Sequence, residues 1–167
     1  MFDLEQESKR NPCHTDLIMV ASLIDRAPNL GGLSRTCEIF GAGKLILNNK
    51  KVINDKDFIN TSVTAHQWID IEEVKIDDLK EYLEDMKSKN YQIVGIEQTS
   101  ESCKLHEFKF PKKSVIVLGN EKEGIPVDLI QLLDICVEIP QTGLIRSLNV
   151  HVTGAIIVWE YVRQQII

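Results

Sequence analysis

With 167 residues, 43% of them apolar, the chain is long enough to bury one core and shows no compositional break that would mark a second. Its longest apolar stretches, Ser114 to Leu118 and Ala155 to Trp159, fall far short of the ~20 residues that span a bilayer, and no apolar run near Met1 reads as an export signal. The net charge of −6 excludes a uniformly basic surface; yet Asp70 to Asp85, with eight acids and two lysines, carries the whole deficit, leaving clusters at Lys44, Lys50, Lys51 and Lys56 and at Lys109, Lys112, Lys113 and Lys122.

Residues 1 to 15 mix charges with Pro12, Cys13 and His14 and read as a flexible leader or linker, with residues 16 to 167 forming one domain. Leu17 to Ile24 is almost wholly apolar, as a strand buried on both faces of a parallel sheet should be. After the break at Asp25 to Asn29, Leu30, Leu33, Cys37 and Phe40 recur at helical spacing, with Asn29 placed to cap the helix and Gly41 to Gly43 to end it. Lys44 to Leu47 reads as a short strand. Ile76, Leu79, Leu83 and Met86 then make one stripe of an amphipathic helix whose acids face solvent. Tyr91 to Ile96, Ser114 to Leu118 and Ile135 to Ile139 read as further buried strands. Leu148, Val152, Ala155, Ile156, Trp159 and Val162 mark one face of a long C-terminal helix. Strands alternating with helices predict an α/β fold with a mainly parallel sheet flanked by helices.

Three polar segments follow apolar strands, where open α/β sheets place their ligands. They are Asn29-Leu30-Gly31-Gly32-Leu33-Ser34-Arg35-Thr36, Leu118-Gly119-Asn120-Glu121-Lys122-Glu123-Gly124-Ile125-Pro126, and Ile139-Pro140-Gln141-Thr142-Gly143-Leu144-Ile145-Arg146-Ser147-Leu148-Asn149-Val150. Taken singly, each has a structural explanation: Asn29 and Ser147 suit helix caps, Gly119 and Gly124 suit turns, and Glu121 suits a solvated loop. In order and spacing together, they resemble the three motifs of TrmH/SpoU-type RNA ribose 2'-O-methyltransferases of the SPOUT superfamily. The resemblance runs from Leu17 to about Arg163.

That resemblance implies a SPOUT α/β-knot, in which the C-terminal segment threads a deep trefoil knot that general connection rules would have rejected. It implies S-adenosylmethionine as cofactor and S-adenosylhomocysteine as product, with Gly119, Ile139 and Leu148 lining the cofactor pocket through backbone groups and Gly124 shaping the same loop. Gln98 and Thr99, after an earlier strand, are further candidates for the adenosyl side. Arg35 takes the central catalytic role, with Asn29, Glu121, Ser147 and Asn149 arranging the site. A guanidinium stays protonated far above neutrality, so Arg35 is better suited to hold a phosphate or ribose in its fork of donors and to stabilise a developing oxyanion than to act as a base. The implied substrate is RNA, with tRNA and its D-loop guanosine 18 the target, and the implied assembly is a homodimer; the low positive charge predicts weak RNA binding by this chain alone and activity that depends on upstream sequence.

Other patterns carry less. The chain lacks both GxGxxG and GxxxxGK[ST], and Cys103-x-x-His106 lacks a second pair of ligand spacing, so no metal site is expected. Cys13, Cys37, Cys103 and Cys136 form no CxxC pair, as free thiols of an intracellular protein, cytoplasmic or nuclear, would. His66, His106 and His151 match no catalytic pairing, and Trp68 and Trp159 read as packing residues. His151, Arg146, Gln141 and Thr142 depart from the usual wording of the third motif without removing a candidate catalytic group from it. Two alternatives stand beside the enzyme: an inactive RNA-binding member of the same fold, which the intact motif residues disfavour, and a flavodoxin-like nucleotide-binding domain, which the Ser147-Leu148-Asn149-Val150 helix start does not fit.

Overall fold

The computed structural model describes residues 14–166, with the side chains of 14–165. The expected leader up to Cys13 lies outside the described residues, as does Ile167. Thr15 is already tied to the fold, its backbone N–H donating to the Gly41 carbonyl at 2.7 Å.

Seven strands, β1 (Ile18–Val20), β2 (Lys44–Leu47), β3 (Ile71–Glu73), β4 (Gln92–Ile96), β5 (Cys103–Lys104), β6 (Ser114–Leu118) and β7 (Ile135–Glu138), form one sheet in the order β3-β2-β1-β6-β4-β7-β5. Every pairing is parallel. The helices are α1 (Ala27–Ile39), α2 (Lys56–Ser62), α3 (Leu79–Ser88), α4 (Val127–Ile130) and α5 (Val150–Ile166). The α/β architecture expected from the alternation is the one observed. The chain fills one half of the sheet outward from β1 and the other half around β6, so the order reverses between these two neighbours, where an open parallel sheet leaves a crevice at its carboxyl edge.

Two apolar layers sandwich the sheet, and the period of two along each strand divides the residues between them. Leu17, Met19, Leu45, Leu47, Ile116 and Leu118 face the layer built by α1, α2 and α5. Ile18, Val20, Ile46, Val115 and Val117 face the layer of α3 and α4. On α3, Leu79, Leu83 and Met86 are buried as the spacing predicts, while Ile76 sits in a 3-10 turn before the helix and is 42% exposed. The acidic segment thus occupies α3 and the edge strand β3, two strands away from β1.

The C-terminal helix faces the core with a different side from the one expected. Ile157, Val158 and Tyr161 are fully buried, whereas Val152 and Trp159 are 44% and 45% exposed; of the expected stripe only Val162 belongs to the buried core. Ala155, Ile156, Ile157 and Val158 are consecutive apolar residues, so spacing alone could not choose a side. The far end of α5 is tied down by polar bonds. The Tyr161 hydroxyl donates to the Lys112 carbonyl at 2.6 Å, and Gln164 and Gln165 donate to the carbonyls of Phe108 and Phe110. Trp68, expected to pack, is 66% exposed. Among the described residues, no helix is long and apolar enough to cross a membrane.

Candidate active site

The carboxyl ends of β1, β6, β4 and β7 are contiguous in the sheet, and the polar segments that leave them meet above it. Helix α1 begins at Ala27 instead of after Asn29, because Pro28 is well suited to the first turn, where a missing N–H costs nothing. Asn29 is therefore not a cap. It lies within the first turn, 9% exposed, and its amide turns to the neighbouring segments.

The segment after β6 closes on itself. Asn120 and Gly124 exchange backbone hydrogen bonds of 3.0 and 2.9 Å, and Gly124 adopts φ +69°, a left-handed conformation suited to glycine. A Cβ on Gly119 would come within 2.8 Å of the Gly124 carbonyl carbon, so this glycine is required first by the turn itself. The Asn120 side chain staples the loop: its oxygen accepts from the N–H of Lys122 and Glu123, and its nitrogen donates to the Leu23 carbonyl and to Asp25 Oδ2 at 2.9 Å. Glu97, immediately after β4, accepts from the Ile125 N–H at 3.1 Å and holds the end of the same loop.

Residues 139–149, after β7, have no helix or strand and lead into α5. Asn149, not Ser147, caps that helix: its oxygen accepts from the N–H groups of His151 and Val152 at 2.9 and 3.2 Å. Its nitrogen donates to Asn29 Oδ1 at 3.1 Å, and Asn29 Nδ2 donates in turn to Glu121 Oε1 at 2.9 Å. One directional chain of side-chain hydrogen bonds thus joins all three segments and ends on a carboxylate.

An open cleft of about 350 Å³ lies beside this chain. Of the residues expected at a site, Asn29, Gly119, Glu121, Gly124, Ser147, Leu148 and Asn149 line it. Ile139, Gln98 and Arg146 line an adjoining hollow of about 160 Å³ that shares Ile96, Glu97, Leu148 and Thr153 with the first. Two expected residues lie apart. Thr99 makes a local turn with Ser102 and lines neither space. Arg35, nearly two helical turns beyond the segment's start, is exposed on α1 and lines neither space.

Glu97, Asn120 and Thr153 were missed by the sequence reading. Glu97 carried a usable signal, being the first polar residue after an apolar strand; Asn120 and Thr153 carried none, since their roles depend on partners far away in the chain. The walls hold the carboxylates of Glu97, Glu121 and Glu138 against the guanidinium groups of Arg26 and Arg146, an acidic excess suited to a cationic ligand. Among the described residues, no group of three His, Cys, Asp or Glu side chains could hold a metal ion.

A family model described as the SpoU rRNA Methylase family matches residues 16–159. A mouse relative, tRNA (guanosine(18)-2'-O)-methyltransferase TARBP1, is 54% identical over 151 residues, covering 90% of this chain and 10% of its own length. A Saccharomyces cerevisiae tRNA (guanosine(18)-2'-O)-methyltransferase is 44% identical over 166 residues, covering 98% of this chain and 12% of its own length. The chain therefore spans about a tenth of either relative. The crystal structure of an Aquifex aeolicus TrmH/SpoU tRNA modifying enzyme superposes with a TM-score of 0.80 at 30% identity, over 92% of this chain and 77% of the other.

Proposed function

The chain belongs to the SpoU rRNA methylase family, and from that premise we propose that it transfers the methyl group of S-adenosylmethionine to a ribose 2'-hydroxyl of tRNA, at guanosine 18, releasing S-adenosylhomocysteine. The mouse and yeast relatives are named for that reaction. The observation that carries the reading is the hydrogen-bonded chain from Asn149 through Asn29 to Glu121, which draws three strand-end segments around one cleft.

The residues present fit the cofactor. The cleft lies in the size range of small-molecule sites, and the acidic excess on its walls suits a sulfonium and an ammonium group. When bound, the cofactor supplies an already activated methyl carbon. Gly119, Ile139 and Leu148 present backbone around it, Gln98 extends the adenosyl side, and the Glu97 anchor and the Gly124 turn keep the 119–125 loop in place. Asn29, Glu121, Ser147 and Asn149 orient the ribose, and Arg35 holds phosphate or ribose in its fork and stabilises the oxyanion as the hydroxyl proton passes to a phosphate oxygen or water.

Arg35 stands outside its own chain's cleft, so we propose that a second copy completes the site. The half-exposed outer side of α5, with Val152 and with Trp159 packed on Phe40 at 5.6 Å, offers an apolar contact surface beside α1. A homodimer joined there carries Arg35 toward the partner's cleft. The path from β7, set between β4 and β5, back to α5 packed on α1 suits the trefoil threading of the family. The acidic balance and the tenfold greater length of the relatives favour weak RNA binding by this chain alone, with upstream sequence supplying the grip. The reaction belongs where tRNA is made and used, in nucleus or cytoplasm.

Incubation with labelled S-adenosylmethionine and unmodified total tRNA, followed by mapping of the methylated nucleotide, tests the reading. Label at guanosine 18 is expected. Bound S-adenosylmethionine with no transfer, with or without upstream sequence, would mark an inactive RNA-binding member instead.

A further inference from the structure

Helices α1 and α5 meet through a polar seam. On α1 the seam consists of Asn29, Gly32 and Thr36, at spacings that put all three on one side of a helix. Opposite them stands the start of α5, where Asn149 reaches Asn29 and His151 Nε2 lies 2.9 Å from the Thr36 hydroxyl. The imidazole occupies the space that a side chain on Gly32 would need. A Cβ at that position would stand 2.4 Å from Nδ1 and 2.6 Å from Cε1. Glycine weakens a helix interior relative to alanine, and here the ring accounts for it. Thr36, 9% exposed, engages the ring with a hydroxyl that in helices often turns back on its own backbone. Arg35 directly precedes it.

We propose that His151 is a positioning residue for methyl transfer: wedged between Gly32 and Thr36, it sets the helix that carries Arg35 in register with the helix start that carries Asn149. The inference rests on the proposed reaction. Its physical content is a lever. Asn29 serves the cleft of its own chain, Arg35 faces outward on the same helix, and one ring fixes the setting of both against α5.

The seam is sensitive to pH. The charged groups on the surrounding elements are Arg26, Arg35 and Glu38 at and on α1, Lys56 and Asp57 on α2, Glu121 after β6, Arg146 before α5, and Glu160 and Arg163 farther along α5. None of them moves the titration of His151, which burial alone holds below the ordinary histidine value of 6.5. Burial in the seam favours the neutral ring, whose Nε2 meets the Thr36 hydroxyl. Burial works against the protonated ring, so the seam is strongest above the ordinary value and weakens as pH falls through the lower folded one.

The test is steady-state transfer at varied S-adenosylmethionine between about pH 5 and pH 8, with wild type, His151→Ser, His151→Gln and Thr36→Val. Serine is too short to reach Thr36; the glutamine amide reaches it and does not titrate. His151→Ser is expected to lower kcat about tenfold, with KM for S-adenosylmethionine within about twofold, and His151→Gln to restore most of the rate while flattening the acid limb. Thr36→Val should cost about the same rate and add nothing to His151→Ser. A wild-type rate for His151→Ser, an acid limb retained in His151→Gln, or additive losses would each overturn the inference. Failure of the wild-type protein to methylate tRNA both with and without upstream sequence would fault the proposed reaction instead. The same double-mutant cycle read by urea unfolding then decides the seam without substrate, and zero coupling overturns it.

Discussion

Two open clefts lie at opposite edges of one sheet, and they differ in what their polar groups have left to do. The larger, about 600 Å³, sits at the amino edge among Asp16, Lys44, Glu72, Tyr82, Asp85 and Tyr91. Its charges answer one another: Lys44 lies 2.6 Å from Glu72 and 3.6 Å from Asp70, Lys89 lies 2.8 Å from Asp85, and the Glu72 hydrogen bond is the leading cause that raises the Lys44 ammonium above its ordinary value. Burial, first among several causes, pushes both tyrosine hydroxyls up and keeps them neutral. The smaller cleft, at the carboxyl edge, is built by a one-way relay that ends on Glu121, a carboxylate with further acceptor capacity. Volume therefore says little. Unspent hydrogen-bonding capacity, held in place by satisfied neighbours, separates a site from a hollow.

Substitutions at the two edges can break or sharpen that contrast. Arg35→Ala should show the largest effect, a loss of transfer of about 10²- to 10³-fold with cofactor affinity nearly unchanged, as read by a methyl-transfer assay beside calorimetry. Equal losses in both would deny Arg35 a separate task. Gly124→Ala should come next, because a Cβ at φ +69° would lie 2.6 Å from Glu97 Oε2. It should cost about 1 to 3 kcal/mol in urea unfolding and weaken S-adenosylmethionine binding through the displaced loop. Asn149→Ala removes a helix cap and opens the relay, at about 1 to 2 kcal/mol, with transfer reduced as well. Smallest of all, Glu72→Gln at the amino edge should cost under about 1 kcal/mol, since both partners of its ion pair are well solvated, and should leave transfer untouched. A strong loss of transfer there would erase the distinction between the edges.

Much of the architecture was legible because it rests on local periodicity. The apolar runs at Lys44 to Leu47 and Ser114 to Leu118 coincide with β2 and β6, and the stripe Leu79, Leu83, Met86 is the buried side of α3. The three-residue β3 and two-residue β5 lie at the sheet's edges and are too short to leave a pattern. The candidate site was legible as three segments but not as an assembly. Which Asn caps a helix and which reaches across the cleft depends on partners about a hundred residues away: Asn29 looked like a cap and is part of the relay, whereas Asn149 is both. His151 appeared as a departure from a motif, and only the bare backbone of Gly32 beneath it gives the ring a place.

The purely parallel sheet has a consequence for the life of the protein as well as its shape. Parallel neighbours cannot be joined by a tight turn, so Val20 must find Val117 across most of the chain before the centre of the sheet exists. A partly folded chain has strands but no crevice. Any small molecule that occupies the crevice therefore binds the finished fold alone, adding about 2.7 kcal/mol to its survival at a hundredfold excess over Kd. Protection from unfolding then rises with the supply of that molecule.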